Sequence, residues 1–203
     1  MSEGEPRPRL ATEADAAAVT ATLSAAFDAD PLWSWAFPDD AKRPSQYEIF
    51  FGLFVESAIP NGWVWMTDQA AAVAVWTPPG KSELSEAAEA RVEPFLTAEL
   101  GPHAKPVLQV FESFESACPE DQDFYYLSLL GTHPDHRGRG LGMSLLSANL
   151  AQIDAESMPA YLESSNPAND ARYERLGFKH RSQFSTPEGR HTVTTMWREP
   201  SRG

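Results

Sequence analysis

The stretch FYYLSLLGTHPDHRGRGLG, residues 124–142, joins an apolar run to a glycine-rich turn. Residues 124–130 are aromatic and aliphatic apart from one serine, which favours a β-strand, and their nearly continuous apolar character predicts burial on both faces. The sequence after the turn predicts a helix from Leu141 to Ser157. Glycines let the backbone turn tightly and bring several N–H groups to the partially positive start of that helix. The unit therefore predicts a strand, an anion-binding turn and a helix.

Positive side chains are unusual in this chain, which makes their position informative. The formal net charge is −13, from 16 Lys and Arg against 29 Asp and Glu. His136, Arg137 and Arg139 nevertheless fall within four positions with no acid between them. An acidic surface repels nucleic acid, so we expect no nucleic-acid partner. It would attract a cationic amine, although acidic surfaces more often serve solubility.

Two familiar nucleotide motifs do not fit. A dinucleotide-binding turn requires G-x-G-x-x-G, and counted from either Gly138 or Gly140 the last glycine is missing. A P-loop requires G-x-x-x-x-G-K followed by Ser or Thr. Residues 80–82 supply that ending, but Val75 stands in place of the first glycine and two prolines remove backbone donors. The phosphate ligand is therefore of another kind.

Length and composition predict one domain spanning residues 1–203, since 42% hydrophobic residues suffice for one sizeable core. The first ten residues are charged and proline-containing, unlike a signal peptide. No later stretch approaches the roughly 20 apolar residues of a membrane helix. We expect a soluble, cytoplasmic protein without a membrane partner. Cys118 is the only cysteine, so we expect no disulfide and no metal.

Periodicity and turn residues predict the remaining elements. Their order predicts a mixed α/β (α+β) domain built around one central sheet. Residues 31–38 are predicted as a loop that packs down as a lid or lines a pocket. The predicted helices are 16–27, 45–58, two within 82–117, 141–157 and 166–177. The predicted strands are 8–11, 62–67, 70–77, 124–130, 159–164, 178–184 and 190–197.

The turn resembles a known family loop. Arg137, Gly140 and Gly142 match Q/R-x-x-G-x-G/A, the pyrophosphate loop of the GNAT superfamily of N-acetyltransferases. The second half of the family pattern follows in order, as ESSN at 163–166 and YERLGF at 173–178. The resemblance implies a mixed sheet of about seven strands flanked by helices, with a splayed central strand.

The amino-terminal half supports a narrower placement. Residues 9–12 and 72–77 are similar to members of the puromycin N-acetyltransferase-like branch. The narrower resemblance adds no residue role to those implied by the superfamily.

The family resemblance implies acetyl-CoA as co-substrate and assigns its contacts. Backbone groups at the end of the central strand would pair with the pantetheine amides, namely Leu130, Gly131 and Thr132. Backbone N–H groups of the loop would bind the pyrophosphate, namely Arg137, Gly138, Arg139, Gly140, Leu141 and Gly142. Asn166 occupies a family position as well, but as an N-cap before a proline it has a sufficient structural reason, so any coenzyme contact is secondary.

Two residues are the candidates for proton transfer. Tyr173 matches the family tyrosine near the coenzyme sulfur, where a protonated phenol could serve as general acid. A packed helical tyrosine is the alternative. Glu163 could take a proton from the incoming amine directly or through water, or could merely face solvent. Arg172 stands where relatives carry an aliphatic residue, and reaches either the phosphates or solvent.

Aromatic side chains are the candidates for acceptor binding. We assign Trp33, Trp35, Phe37 and Tyr126, with Phe111 and Phe114 as further candidates; ordinary core packing is the alternative. Aromatic walls suit a nucleoside, an aryl amine or a hydrophobic amine.

The resemblance implies acetyl transfer to a primary amine of a small molecule, directly within a ternary complex, and we expect a monomer or homodimer. Two alternatives stay open: a non-catalytic acyl-CoA-binding regulatory module, and a protein or peptide N-acetyltransferase.

Overall fold

Seven strands form one mixed sheet in the computed structural model, which describes residues 8–201. The strands are β1 Arg9–Leu10, β2 Val64–Met66, β3 Ala72–Thr77, β4 Tyr125–Thr132, β5 Ala160–Ser164, β6 Lys179–Ser185 and β7 Thr192–Arg198. Their spatial order is β1-β2-β3-β4-β5-β7-β6. The prediction about a signal peptide rests on the first ten residues, of which 1–7 lie outside the described range, as do 202–203 at the other end.

Seven α-helices flank the sheet in the described part of the chain. They are α1 Ala16–Phe27, α2 Pro31–Ala36, α3 Arg43–Ala58, α4 Glu86–Leu100, α5 Ala104–Ala117, α6 Leu141–Ala155 and α7 Asp170–Glu174. The mixed α/β prediction is confirmed, with most boundaries within two residues. None of the helices within residues 8–201 is long and apolar enough to cross a membrane.

The segment predicted as a loop at residues 31–38 is instead mostly helical, and that prediction is wrong. Asp30 caps α2: its Oδ1 accepts hydrogen bonds from the backbone N–H groups of Leu32 at 3.0 Å and Trp33 at 3.2 Å. Pro31 occupies the first helical position, which its fixed φ suits. Asp30-Pro31 is therefore a helix start, and only the shortness of α2 hides its periodicity.

β4 is the splayed central strand that the resemblance implies. Along Tyr126–Thr132 it pairs antiparallel with β3, but its parallel pairing with β5 covers only Tyr125–Leu127. Beyond Leu127 the two strands diverge, so the edge of β4 that faces β5 is left without a strand partner among residues 8–201. We call this point of divergence the fork.

A β-bulge in β4 lies at the fork. Val75 of β3 is opposite Leu129 and Trp76 is opposite Leu127, so Ser128 is the extra residue. Residues two apart on a regular strand share a face. Here Leu127 packs in the cluster under α6, whereas Leu129 packs in the cluster against α1 and α3. The bulge therefore switches the faces of the strand, as bulges do beside functional sites.

The burial of β4 also corrects the sequence prediction. Its residues alternate between buried and half-buried, rather than being buried throughout. The half-buried side chains of Tyr126, Ser128 and Leu130 line a cavity. A cavity wall and a packed core both select apolar residues, which is why the sequence alone does not separate them.

Candidate active site

Two cavities meet at the fork. The long cavity has a volume of about 750 Å³ and runs along the end of β4, the glycine loop and α7. The small cavity, about 100 Å³, lies between the sheet and the aromatic side chains of the helices. Five residues line both: Phe27, Asp30, Leu130, Asn169 and Tyr173. A molecule in one cavity would touch a molecule in the other at this shared wall.

The two cavities are lined by ionisable groups of opposite kind, basic in the long cavity and acidic in the small one. The ionisable cationic side chains of the long cavity are Arg137, Arg172, Arg175 and His136, beside one acid, Asp30. The small cavity is lined by three carboxyl groups, from Asp30, Glu83 and Glu163, and by no Lys, Arg or His within the described residues. The long cavity therefore suits a polyanion and the small cavity suits a cation.

The glycine loop presents unused backbone donors to the long cavity. Gly138 and Gly140 have φ of +79° and +75°, a conformation that glycine adopts without strain. Gly140 is also the N-cap of α6, and the first helical bond runs from Ser144 N–H to Gly140 O at 2.9 Å. No backbone N–H of residues 138–143 donates to any residue within 8–201. Six successive donors at a helix N-terminus suit an anion.

A close approach explains Gly142, the last glycine of the loop. A Cβ on Gly142 would lie 2.6 Å from Thr132 Oγ1, far inside ordinary contact. The loop and the end of β4 therefore pack against each other through a position that has no side chain.

Gly142→Ala should destabilise the fold by about 1 kcal/mol, because the cost of overpacking exceeds what alanine gains over glycine in a helix. Because the clash is with one atom, Thr132→Ala should restore most of that loss in the double variant. Urea unfolding of the two single variants and the double variant measures the coupling. Strictly additive effects would contradict this account of Gly142.

The loop arginines differ in position. Arg137 lines the long cavity, and its Nη2 donates to Ala26 O at 2.8 Å, which holds the loop against the last turn of α1. A cation there also complements the helix dipole. Arg139 is exposed and is not part of the lining. The positive charge expected from Arg139 comes instead from Arg172 of α7 and from Arg175, which follows α7.

The other residues implied for the coenzyme lie together. Leu130, Gly131 and Thr132 line the long cavity at the unpaired edge of β4, with Leu141 and Asn166 across from them. Asn166 acts as a cap, since its Oδ1 accepts from Ala168 N–H at 3.1 Å. Because Asn166 also lines the long cavity, a secondary contact of its side chain with the coenzyme stays a prediction.

Tyr173 stands at the junction of the two cavities. Its ring lies edge-on to Phe178, with centroids 6.2 Å apart. Burial raises the pKa of the Tyr173 phenol above its ordinary value, and the nearby Asp30 carboxyl raises it further. The phenol is therefore protonated at neutral pH and can donate a hydrogen bond or a proton.

Glu163 follows the last residue of β5 that pairs with β4, and it faces the small cavity. Burial raises the pKa of its carboxyl to about 8, while the neighbouring Tyr126 and Tyr161 act in the opposite direction. Its Oε2 is enclosed and has no hydrogen-bond partner among the described residues. A buried carboxyl oxygen without a donor at a cavity wall fits a ligand that brings its own N–H group.

Sequence reasoning missed Asp30 and Glu83. Asp30 caps α2 with one oxygen and accepts from Ser165 Oγ at 2.8 Å with the other, so it joins α2 to the segment after β5. Glu83 lies between β3 and α4, and its carboxyl accepts a short hydrogen bond from Ser128 Oγ at the bulge. The Asp-Pro helix start could have indicated Asp30, whereas no local pattern marks Glu83.

Only some of the aromatic candidates line the small cavity. Trp33 and Tyr126 line the small cavity, as do Phe111 and Phe114. Trp35 packs against His103 and His191, and Phe37 is fully buried against Tyr47 and Phe50; neither belongs to the lining. On a helix, residues two apart point in nearly opposite directions, which separates Trp35 from Trp33. We therefore do not carry Trp35 and Phe37 into the acceptor site.

Comparison with known proteins agrees with this architecture. Residues 104–180 match the family model of the acetyltransferase (GNAT) domain. Over 81 residues the chain is 33% identical to a mycothiol acetyltransferase of Corynebacterium aurimucosum, a match that covers 38% of this chain and only 27% of that protein.

Solved structures share the fold over nearly the whole chain. A histone acetyltransferase HPA2 and related acetyltransferase from Corynebacterium glutamicum is 21% identical, with a TM-score of 0.70 over 98% of this chain and 99% of that one. Arylalkylamine N-acetyltransferase 2 from Aedes aegypti is 12% identical, with a TM-score of 0.67 over 98% and 100% of the two chains. Residues 104–180 therefore match a GNAT acetyltransferase domain, and the described chain, with its splayed strand and glycine loop, shares the fold of these acetyltransferases.

Proposed function

We propose that this protein transfers the acetyl group of acetyl-CoA to the primary amine of a small, cationic molecule. The observation that carries the proposal is the meeting of a cavity lined by basic groups and a cavity lined by carboxyl groups at one wall, where Tyr173 stands. Direct transfer requires both substrates to be bound at once with their reacting atoms adjacent, and this wall provides such a place.

The long cavity fits coenzyme A. Six free backbone N–H groups and the start of α6 suit a pyrophosphate, and three arginines add charge for phosphate groups. The unpaired edge of β4 at residues 130–132 offers peptide groups to an extended, amide-containing arm. Acetyl-CoA would supply the acetyl group as an activated thioester. The residues of the chain bind it, exclude water and move protons.

The small cavity fits an amine that arrives protonated. Its three carboxyl groups have no basic side chain among them in the described lining, so an ammonium group would complement them. Trp33, Phe111 and Phe114 offer ring faces to the cation or to its apolar body. Two of the similar proteins are named for small molecules, a mycothiol acetyltransferase and an arylalkylamine N-acetyltransferase, which agrees with a small acceptor here.

The proton balance assigns roles to two residues. The ammonium gives one proton to Glu163 and becomes a nucleophile, and its nitrogen bonds to the thioester carbonyl carbon. As the C–S bond breaks, Tyr173 donates its proton to the leaving sulfur. The second proton lost by the nitrogen restores the phenol, and Glu163 releases its own to solvent. The products are an amide, free coenzyme A and one proton.

The enclosure of the small cavity, at about 100 Å³, favours a small acceptor over a protein side chain. The test is acetyl-CoA with a panel of alkyl and aryl amines, aminonucleosides and peptides, with thiol release and product mass both measured. We expect a mass gain of one acetyl group on small amines. Acetylation of peptides alone would favour the protein acceptor. Tight coenzyme binding without any turnover would favour the regulatory module.

A further inference from the structure

Glu83 is far from Glu163 along the chain, but both residues line the small cavity. Glu83 lies in the segment between β3 and α4, whose last residue, Ser85, has its N–H bound to Ser57 Oγ of α3 at 3.0 Å. From there its carboxyl reaches Ser128, the bulged residue of β4. Since Leu127 is opposite Leu162, Ser128 and Glu163 are the next residues of the two strands, where the fork opens.

The two carboxyl groups therefore sit on opposite sides of the fork and line one small cavity. Burial raises the pKa of Glu83 to about 7, with Ser128 acting against the rise. Burial raises the pKa of Glu163 to about 8, and the charge on Glu83 contributes to that rise. Because the charge on Glu83 opposes the ionisation of Glu163, we expect the two carboxyl groups to lose their protons in coupled steps.

The surrounding ionisable groups do not neutralise the pair. Tyr126 and Tyr161 face Glu163, while Asp30 and Tyr173 lie on the far wall of the cavity. Burial raises the pKa of the thiol of Cys118, which follows α5, and the charges of both carboxyl groups raise it further. The charge of Arg181, in β6, lowers the pKa of that thiol. No cation lines the cavity in the part of the chain that the structure describes.

We propose that Glu83 and Glu163, which line the same small cavity at the fork, together bind a single ammonium group, with the charge of Glu83 controlling whether Glu163 can accept the proton of the acceptor. The inference rests on the proposed function for its ammonium ligand, but the coupling between the two carboxyl groups belongs to the protein alone. Glu163 can accept the proton of the ammonium only once it is ionised, which the charge on Glu83 opposes. Glu83 is in this account a positioning residue, since it acts through Glu163.

The direct test is a carboxyl titration of the free protein. Glutamate labelled with ¹³C at Cδ is followed by NMR from pH 4 to pH 10, with Glu163 identified by its loss in Glu163→Gln. In Glu83→Gln we expect the midpoint of Glu163 to fall by about one pH unit, because the repelling charge is gone. Ser128→Ala should move it the same way by less, since Glu83 is then harder to ionise. An unchanged midpoint in Glu83→Gln would overturn the pair.

Kinetics provide the second readout. In Glu83→Gln, the pH at which kcat/KM rises on the acid side of its profile should be lower by the same amount as the Glu163 midpoint. Both proteins are measured with the same amine, so that the ionisation of the acceptor cancels. Glu86→Gln removes an exposed charge three residues away and should leave both readouts unchanged. A shifted titration in a protein that acetylates no amine would keep the pair and reject the proposed function. Turnover with an unshifted Glu163 would do the reverse.

Discussion

Replacing Tyr173 by phenylalanine should lower kcat by a hundredfold or more, while the affinity for acetyl-CoA changes less than threefold. A positioned general acid contributes about 10²- to 10⁴-fold. The ring of Tyr173 packs on Phe178, and phenylalanine keeps that contact. The variant loses only the phenolic proton, which burial holds in place at neutral pH. Steady-state kinetics together with calorimetric coenzyme binding separate the two effects.

A second tyrosine provides the matched control. Tyr125 is buried on the other side of the sheet, where its hydroxyl donates to Glu156 Oε2 at 2.7 Å, and it lines neither cavity. Tyr125→Phe should leave kcat within about twofold, because the phenol it removes is away from the reacting atoms. If Tyr173→Phe behaves like Tyr125→Phe, the sulfur is protonated by water or another group and the assignment of the acid is lost.

The strand, turn and helix at residues 124–155 were predictable because each depends on local chemistry. A run of aromatic and aliphatic residues favours a strand, and glycines with positive φ permit the turn that exposes the loop amides. Glu163 and Tyr173 were reachable only through the family pattern. Their enclosure depends on elements more than a hundred residues earlier, such as Asp30 and Phe27. No periodic pattern in the sequence predicts that these residues lie close together.

The bulge at Ser128 and the position of Glu83 could not be predicted from local sequence, for different physical reasons. The bulge at Ser128 depends on how β3 and β4 pair, and a single strand carries no sign of its register. Glu83 looks like an ordinary loop acid, because its role comes from burial after folding. Its partner Ser128 lies 45 residues away along the chain. Once the pairing of β3 and β4 is known, the bulge at Ser128 is evident, whereas the place of Glu83 is known only from its contact with Ser128.

Glu163→Gln should lower kcat/KM by about a hundredfold or more at pH 8 and above. The variant should also lose the increase of kcat/KM with pH that the wild-type protein shows. The carboxyl accepts a proton only when ionised, so the wild-type rate should increase as the pH passes through the pKa of Glu163, about 8. Glutamine keeps the size and cannot accept the proton. Glu48→Gln removes an exposed acid of α3 and should preserve both the rate and its pH dependence.

A stability measurement shows independently whether Glu163 is buried as the structure describes. Its folded pKa is raised to about 8 from an ordinary value of 4.5, so the folded state holds a proton that the unfolded state has released. Between those two pH values the wild-type protein therefore loses stability as the pH rises. Glu163→Gln lacks that loss, so its Tm should exceed that of wild type at pH 9 and match it near pH 4. Equal Tm values at both pH values would place the carboxyl in solvent. A higher Tm at pH 9 with wild-type turnover would leave it buried but remove it from the reaction.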